Sequence, residues 1–396
     1  MASHEIAIGP REDRAGIDFA ALRRARRGRV FAAMEQLGLD ACLFGRETNA
    51  RYVAGQRRLW TSNTRAYLPT CIAIRRTGRV HVMTLSSSVE DAPEDLPSED
   101  VYGRSFDAAR LLGIYRALPG LPEAKRVGVD GLTVPTRDLI GHICPNAEIV
   151  AAEATMRELR RVKLPAEVDC IRVALAIAES SLQCTADLLR PGVTGQELQS
   201  RYLERMCTLG TSLFAQQGTF HPARPGAVPP FGTRAEPFTP GQLVVLSGGA
   251  LWSGYEGSLA RTWRCPDGDD PSAGQRALYS RWRELLARLL EQCRPGRSGA
   301  ELVSAYQASG EPLPRGAFAY SVGLGHEGPI AGSGQGAYLD RRQVLAHDMV
   351  VALRPWVSDE QCGFLGEEVV RITGGAPERL TTMSHGPLSH AGSGLV

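Results

Sequence analysis

Lysine is almost absent from this chain: Lys125 and Lys163 are the only two, so arginine carries nearly all the positive charge. The formal net charge is +2, too small to gather a nucleic acid or an anionic membrane surface. No apolar run approaches the roughly 20 residues that cross a bilayer. The opening MASHEIAIGPREDRAG lacks the apolar core of a secretory signal. There is also no Cys-x-x-Cys pair. The nine cysteines are scattered, an odd set that fits reduced core thiols better than a disulfide framework or a zinc site. What remains is an ordinary globular composition, 43% hydrophobic and 22% charged over 396 residues, long enough for two domains with separate cores. These absences predict a soluble cytoplasmic protein that partners neither nucleic acid nor membrane.

The first part alternates helices and strands. Asp18 to Leu37 reads as an amphipathic helix ended by Gly38, with Leu22, Val30, Phe31, Met34 and Leu37 facing a core. Ala41 to Phe44, Cys71 to Ile74, Val80 to Leu85, Val127 to Val129 and Glu148 to Ala151 read as strands, and Thr77-Gly78 as a turn. The acidic, proline-containing segment Asp91 to Asp100 is expected to be a solvated loop. A repeat marks the second part. Arg190-Pro191-Gly192-Val193-Thr194-Gly195-Gln196-Glu197-Leu198 returns as Arg294-Pro295-Gly296-Arg297-Ser298-Gly299-Ala300-Glu301-Leu302. Each copy offers Thr or Ser as an N-cap with Glu three residues on, a capping box that opens a helix. A good helix start used twice by chance is the bland reading; the shared Arg-Pro-Gly and Leu favour duplication.

The stretch from Gly241 to Trp263, GQLVVLSGGALWSGYEGSLARTW, combines an apolar strand at Leu243 to Leu246 with a second strand running toward Arg261-Thr262-Trp263. Gly248, Gly249 and Ser253-Gly254 supply turn chemistry between them. It resembles the creatinase, prolidase and methionine aminopeptidase family, the pita-bread hydrolases, whose pattern here is G-D-L-V-x-x-D-x-G-A-x-x-x-G-Y-x-x-D-x-x-R-T. Asn49-Ala50-Arg51-Tyr52-Val53-Ala54-Gly55 matches the N-x-x-Y-x-x-G signature of the family's N-terminal domain. The resemblance implies an α/β (α+β) fold with a creatinase-like N-terminal domain over residues 1–155 and a pita-bread domain over residues 156–396, built on an internal pseudo-twofold repeat.

The metal-ligand positions differ. The two bridging aspartates fall on Ser247 and Ser258. Ala319 to Pro329, AYSVGLGHEGP, resembles G-H-G-V-G-x-x-x-H-E-x-P, placing the first histidine on Tyr320 and the second on His326, followed by Glu327. Leu345 to Pro355, LAHDMVVALRP, puts Arg354 where the family has a glutamate ligand. Gly363 to Thr381 retains one ligand, Glu367; strand alternation turns Glu368 to the other face, where surface exposure is the default. A guanidinium stays protonated and has no lone pair for a metal. It can clamp a carboxylate or oxyanion, or pair internally with Glu367.

The expectation drawn from this tally is an enzyme with no metal and no cofactor, hydrolysing or eliminating at a C–N bond of a small-molecule substrate. Creatinase, with this fold and no metal, is the precedent. His326, Glu367, Tyr320 and His221 (within Gly218-Thr219-Phe220-His221-Pro222) would be catalytic, although direct spacing puts Pro230 at the last of these sites. Arg354, Glu327, Ser247 and Ser258 would bind substrate. Resemblance to creatinase-like dimers implies a homodimer in which Trp60 and Arg65 of one chain reach the other's pocket. A catalytically dead homologue kept for binding, and a peptidase with a rearranged metal site, are the alternatives.

Overall fold

The computed structural model describes residues 15–56, 69–84, 93–103, 107–211, 214–216, 218–325, 327–333 and 343–385. Their α/β chain divides into two units, Asp18–Arg160 and the remainder from Arg161 onward.

In the first unit Asp18 accepts the Ala21 N–H at 2.8 Å and so caps α1 (Phe19–Gln36). The strands are β1 (Ala41–Phe44), β2 (Cys71–Ile74), β3 (Arg79–Met83), β4 (Val101–Tyr102), β5 (Arg126–Val129) and β6 (Glu148–Ala151). They form one sheet in the order β4-β3-β2-β1-β5-β6, and helices α3 (Ala108–Ala117), α4 (Val134–Ile143) and α5 (Glu153–Arg161) follow β4, β5 and β6 in the chain. Helix α2 (Glu47–Ala54) carries the Asn-x-x-Tyr signature, and its role here is structural. The Asn49 amide donates to Asp130 at 2.9 Å and to Glu153 at 2.8 Å, while its oxygen accepts from Arg160. Asp130 also takes the backbone N–H groups of Gly45 and Arg46, each at 3.0 Å. In the described part of the segment expected to be a solvated loop, Glu94 and Pro97 to Glu99 are exposed, but two side chains depart from that expectation. Asp95 is buried against Arg23 and Arg27, and Asp100 against Arg79 and His81. Composition made the segment look solvated because the arginines that neutralise it lie elsewhere in the chain.

The second unit uses the repeated motif twice. Helices α6 (Pro165–Ala186) and α7 (Gly195–Thr208) precede β7 (Thr219–Pro222), β8 (Gly232–Thr233), β9 (Leu243–Trp252) and β10 (Tyr255–Arg264), which form a sheet in the order β10-β9-β7-β8. Helices α8 (Ala273–Gln292) and α9 (Gly299–Gln307) precede β11 (Gly316–Ser321), β12 (Ile330–Ser333), β13 (Val350–Leu353), β16 (Glu368–Arg371) and β17 (Glu378–Arg379), ordered β12-β11-β13-β16-β17. A separate ribbon pairs β14 (Trp356–Ser358) with β15 (Gly363–Leu365). Both capping boxes form: Glu197 accepts the Thr194 N–H and Glu301 accepts the Ser298 N–H, each at 2.8 Å.

Gly248 and Gly249 lie inside β9, and the turn is confined to Ser253 and Gly254. The glycines serve close approach instead of a bend. A Cβ at 248 would meet the Tyr202 ring at 2.5 Å, and one at 249 would collide with the Ser258 hydroxyl.

Candidate functional site

Strand register assembles the site. Ser247 pairs with Ala260 and Gly249 with Ser258, so Ser247, Glu256 and Ser258 share one face of the β9–β10 pair. In the other half Tyr320 pairs with Ala352, and Ala352 with Val369. Continuing the Leu353–Glu368 pairing by one residue sets Arg354 opposite Glu367. The halves join at this point. The Glu367 N–H donates to Ala260 O at 3.0 Å, and Thr262 Oγ1 donates to Leu365 O at 2.8 Å.

Glu367 is fully buried and is the hub. Its Oε1 accepts the Tyr320 hydroxyl at 2.7 Å, and its Oε2 lies 3.9 Å from Arg354 Nε, within ion-pair range but beyond a hydrogen bond. Burial raises the Glu367 pKa, against the opposing pull of Arg354 and of the Tyr320 hydrogen bond, and Glu256 raises it further. Burial, then the Glu367 charge, holds the Tyr320 phenol protonated well beyond its usual range. Arg354 Nη1 donates to Gln216 Oε1 at 3.4 Å, and its guanidinium carbon sits 5.8 Å from the centre of the exposed Phe231 ring. Gln216 is brought there by Ala215, whose N–H donates to Gly249 O at 3.0 Å. Ser258 donates to Glu256 Oε1 at 2.7 Å. Among the described residues, Ser247 Oγ, Glu367 Oε2, Arg354 Nε and Gln216 Nε2 are buried without a hydrogen-bond partner. Unspent buried polar atoms of this kind mark a place where a ligand supplies the missing partner.

Of the expected residues, the structure unites Tyr320, Arg354 and Glu367, with Ser247 and Ser258 on the adjoining strands. His221 is buried on β7 opposite Val245, its pKa lowered by burial and then by Arg234. Glu327 is buried as well. His326, Trp60 and Arg65 lie outside the described residues. Glu256 and Gln216 went unnoticed in the sequence. Glu256 was findable, because it stands two residues before Ser258 on a strand; Gln216 had no local signal.

Glu368 departs from the expected surface position and is 2% exposed. Alternation does turn it away from Glu367, but α8 and the segment 381–385 cover that face. Its Oε2 lies 2.9 Å from His385 Nε2, the Thr381 hydroxyl donates to Oε1, and the group borders a cavity of about 500 Å³. Burial raises the Glu368 pKa to about 7 and lowers that of His385 to about 2, so the imidazole is neutral and the contact is a hydrogen bond, not an ion pair. A carboxyl whose folded pKa exceeds its unfolded value stabilises the protein while protonated, and loses that contribution as pH rises through the folded pKa. Glu368→Gln is therefore expected to be about 2 kcal/mol more stable than the parent near pH 8.5 and about equal near pH 4.5. Denaturant titrations at the two pH values check this, and an equal difference at both contradicts it.

The resemblance implies two metal ions, and the donor set does not fit them. Arg354 cannot coordinate, the Tyr320 proton is committed to Glu367, and Ser247 and Ser258 are neutral hydroxyls. Among the described residues no group of three or more His, Cys, Asp or Glu side chains is placed to hold a metal ion. No described helix is long and apolar enough to cross a membrane.

Residues 169–374 match the family model described as metallopeptidase family M24, and residues 26–162 match the creatinase/prolidase N-terminal domain. A Xaa-Pro dipeptidase of Pyrococcus horikoshii is 21% identical over 369 residues, covering 89% of this chain and 95% of that protein. The Xaa-Pro dipeptidase structure from Bacillus anthracis has a TM-score of 0.73 at 19% identity, covering 91% of this chain and 98% of the other. The X-Pro aminopeptidase structure from Thermotoga maritima has a TM-score of 0.73 at 19% identity, covering 89% and 99%. These relatives are peptidases, which overturns the expectation of a metal-independent enzyme acting on a small C–N substrate; four substituted ligand positions do not outweigh a family frame that spans residues 26–162 and 169–374. The chain belongs to the M24 peptidase family and carries that family's creatinase/prolidase N-terminal domain.

Proposed function

We propose that this protein is directed at short peptides of the Xaa-Pro class, with the peptide's C-terminal carboxylate received by Arg354. The observation that carries the reading is the state of that side chain. Arg354 is buried, makes one long hydrogen bond to Gln216, keeps Nε unpartnered among the described residues, and has the Phe231 ring beside it. A guanidinium with donors to spare, next to an apolar wall, suits a carboxylate attached to a compact apolar residue. The peptidase relatives named above support the same substrate class. In this reading the chain's own residues bind and orient the peptide. Tyr320 fixes Glu367 through its hydroxyl, and Ser247 and Gln216 offer polar atoms to the peptide backbone.

Calorimetric titration with Ala-Pro, Gly-Pro and their C-terminal amides tests this, alongside chromatographic assay of hydrolysis with and without Mn²⁺, Co²⁺ or Zn²⁺. The acids are expected to bind saturably, and amidation to weaken binding about tenfold or more, the worth of a charge-assisted hydrogen bond. Absence of binding by every dipeptide, or indifference to amidation, overturns the reading.

A further inference from the structure

Glu368, which turns away from Glu367, borders a cavity of about 500 Å³ that the peptide site does not use. That volume suits a small molecule. The walls are held in place by bonds within the protein. Helix α8 supplies Tyr279 and Leu286, with the Tyr279 ring stacked at 13° to that of the buried Trp282. The segment 381–385 supplies the opposing wall, and it is tied down twice. Glu179 accepts the N–H groups of Thr382 and Met383 at 2.6 and 2.9 Å, and Arg261 Nη2 donates to Met383 O at 2.7 Å. The Glu368 carboxyl is itself spent, because the Thr381 hydroxyl donates to Oε1 and His385 Nε2 lies 2.9 Å from Oε2.

Three other polar groups of the lining are unspent. Arg379 has no nearer charged partner among the described residues than Glu368 Oε2, at 4.0 Å. Arg283 forms no ion pair among the described residues, and its guanidinium carbon sits 5.8 Å from the centre of the Tyr279 ring. His385 packs on Trp282 with ring centres 4.6 Å apart, and its Nδ1 is buried without a hydrogen-bond partner. Two guanidiniums and one carboxyl leave the lining cationic whichever way Glu368 is charged. Arg379 and His385 both border Glu368 Oε2, so one small ligand can reach both. A guanidinium fork suits a carboxylate, and Tyr279, Leu286 and Met383 suit an apolar body. A hydroxyl can donate to Nδ1 or accept from it, so it fits either tautomer of the imidazole.

We propose that this cavity binds a small 2-hydroxy carboxylate with an aromatic or branched apolar side group, its carboxylate held by Arg379 and Arg283 and its hydroxyl by His385. The site stands apart from the one around Arg354, because Glu367 bonds to Tyr320 on one face and Glu368 to His385 on the other. Arg261 links the two faces, holding the carbonyl of Glu367 with Nη1 and that of Met383 with Nη2. The inference does not depend on the peptide reading above.

The experiment titrates mandelate, mandelamide and phenylacetate into the full-length protein by calorimetry at neutral pH. Mandelate is also titrated into Arg379→Gln and Arg283→Gln, with circular dichroism as a check of folding. Mandelate is expected to bind saturably, the amide about tenfold or more weakly, and phenylacetate, which lacks the hydroxyl, a few-fold more weakly. Each arginine variant should weaken mandelate about tenfold. Both side chains are exposed; should one variant not fold, the other gives the same readout. Saturating Ala-Pro should leave mandelate binding unchanged. No saturable binding of mandelate, equal binding of the acid and its amide, or unchanged binding in both variants overturns the proposal. Displacement of mandelate by Ala-Pro would place its carboxylate at Arg354 and overturn it as well. Failure of Ala-Pro to bind, with mandelate behaving as expected, counts against the peptide reading alone and leaves this site standing.

Discussion

Replacing Arg354 with methionine is expected to cost about 3 kcal/mol of stability at neutral pH, because it leaves a buried carboxylate without its cation. Glu367 is fully buried and Arg354 Nε is 3.9 Å away, so water cannot take over the guanidinium's role. Methionine keeps much of the volume, which confines the effect to charge. The sign of the pH dependence follows. Burial already raises the Glu367 pKa and Arg354 restrains it; without Arg354 it rises further, so the loss should be largest above that pKa and shrink as Glu367 takes up a proton. Denaturant titrations near pH 5 and pH 8 read this directly. The double variant Arg354→Met/Glu367→Gln should recover most of the loss, since the stranded charge is gone. Equal losses in the single and double variants would show that packing, not charge, holds Arg354 in place.

The second large effect is steric. A Cβ on Gly257 would fall on the backbone of α6, inside contact distance of Ala174 C and Leu175 N, with Ala174 O at 2.7 Å. Gly257 is the third residue of β10, at a point where helix and strand pack backbone to backbone. Neither can retreat, because β10 is paired along its length with β9. Gly257→Ala should therefore cost about 3 kcal/mol or more, or leave little soluble protein. The same change at Gly113, inside helix α3 (Ala108–Ala117) and facing open space, should stabilise by about 0.5–1 kcal/mol. Comparing the two denaturation midpoints tests steric contact against glycine content as such.

Much of this architecture was legible in local chemistry. Thr194 with Glu197 and Ser298 with Glu301 announced two helix starts, and both form because a capping box is satisfied within one turn. The short runs Ala41–Phe44 and Glu148–Ala151 read as strands without tertiary knowledge. What stayed hidden depended on partners distant in sequence. Gly248 and Gly249 read as a turn because their need for space comes from Tyr202 and Ser258. Alternation gave the right facing for Glu368 but could not tell that α8 and His385 roof it. At the site, the lost ligands were plain in the sequence, while the retained carboxylate face was not, because Glu256 matches no metal-ligand position.

Strand β9 contributes to two hydrophobic interiors of its unit among the described residues. Leu243 and Val245 pack with Trp282, Phe318 and Phe364, while Val244 and Leu246, pointing the other way, pack with Leu198, Tyr202 and Phe220. A strand that lines two cores cannot leave one without opening the other. The duplicated halves of this unit are therefore bound to a common fate on unfolding: they should melt in one transition, and amide exchange in β9 should report the free energy of the whole unit and not of either half.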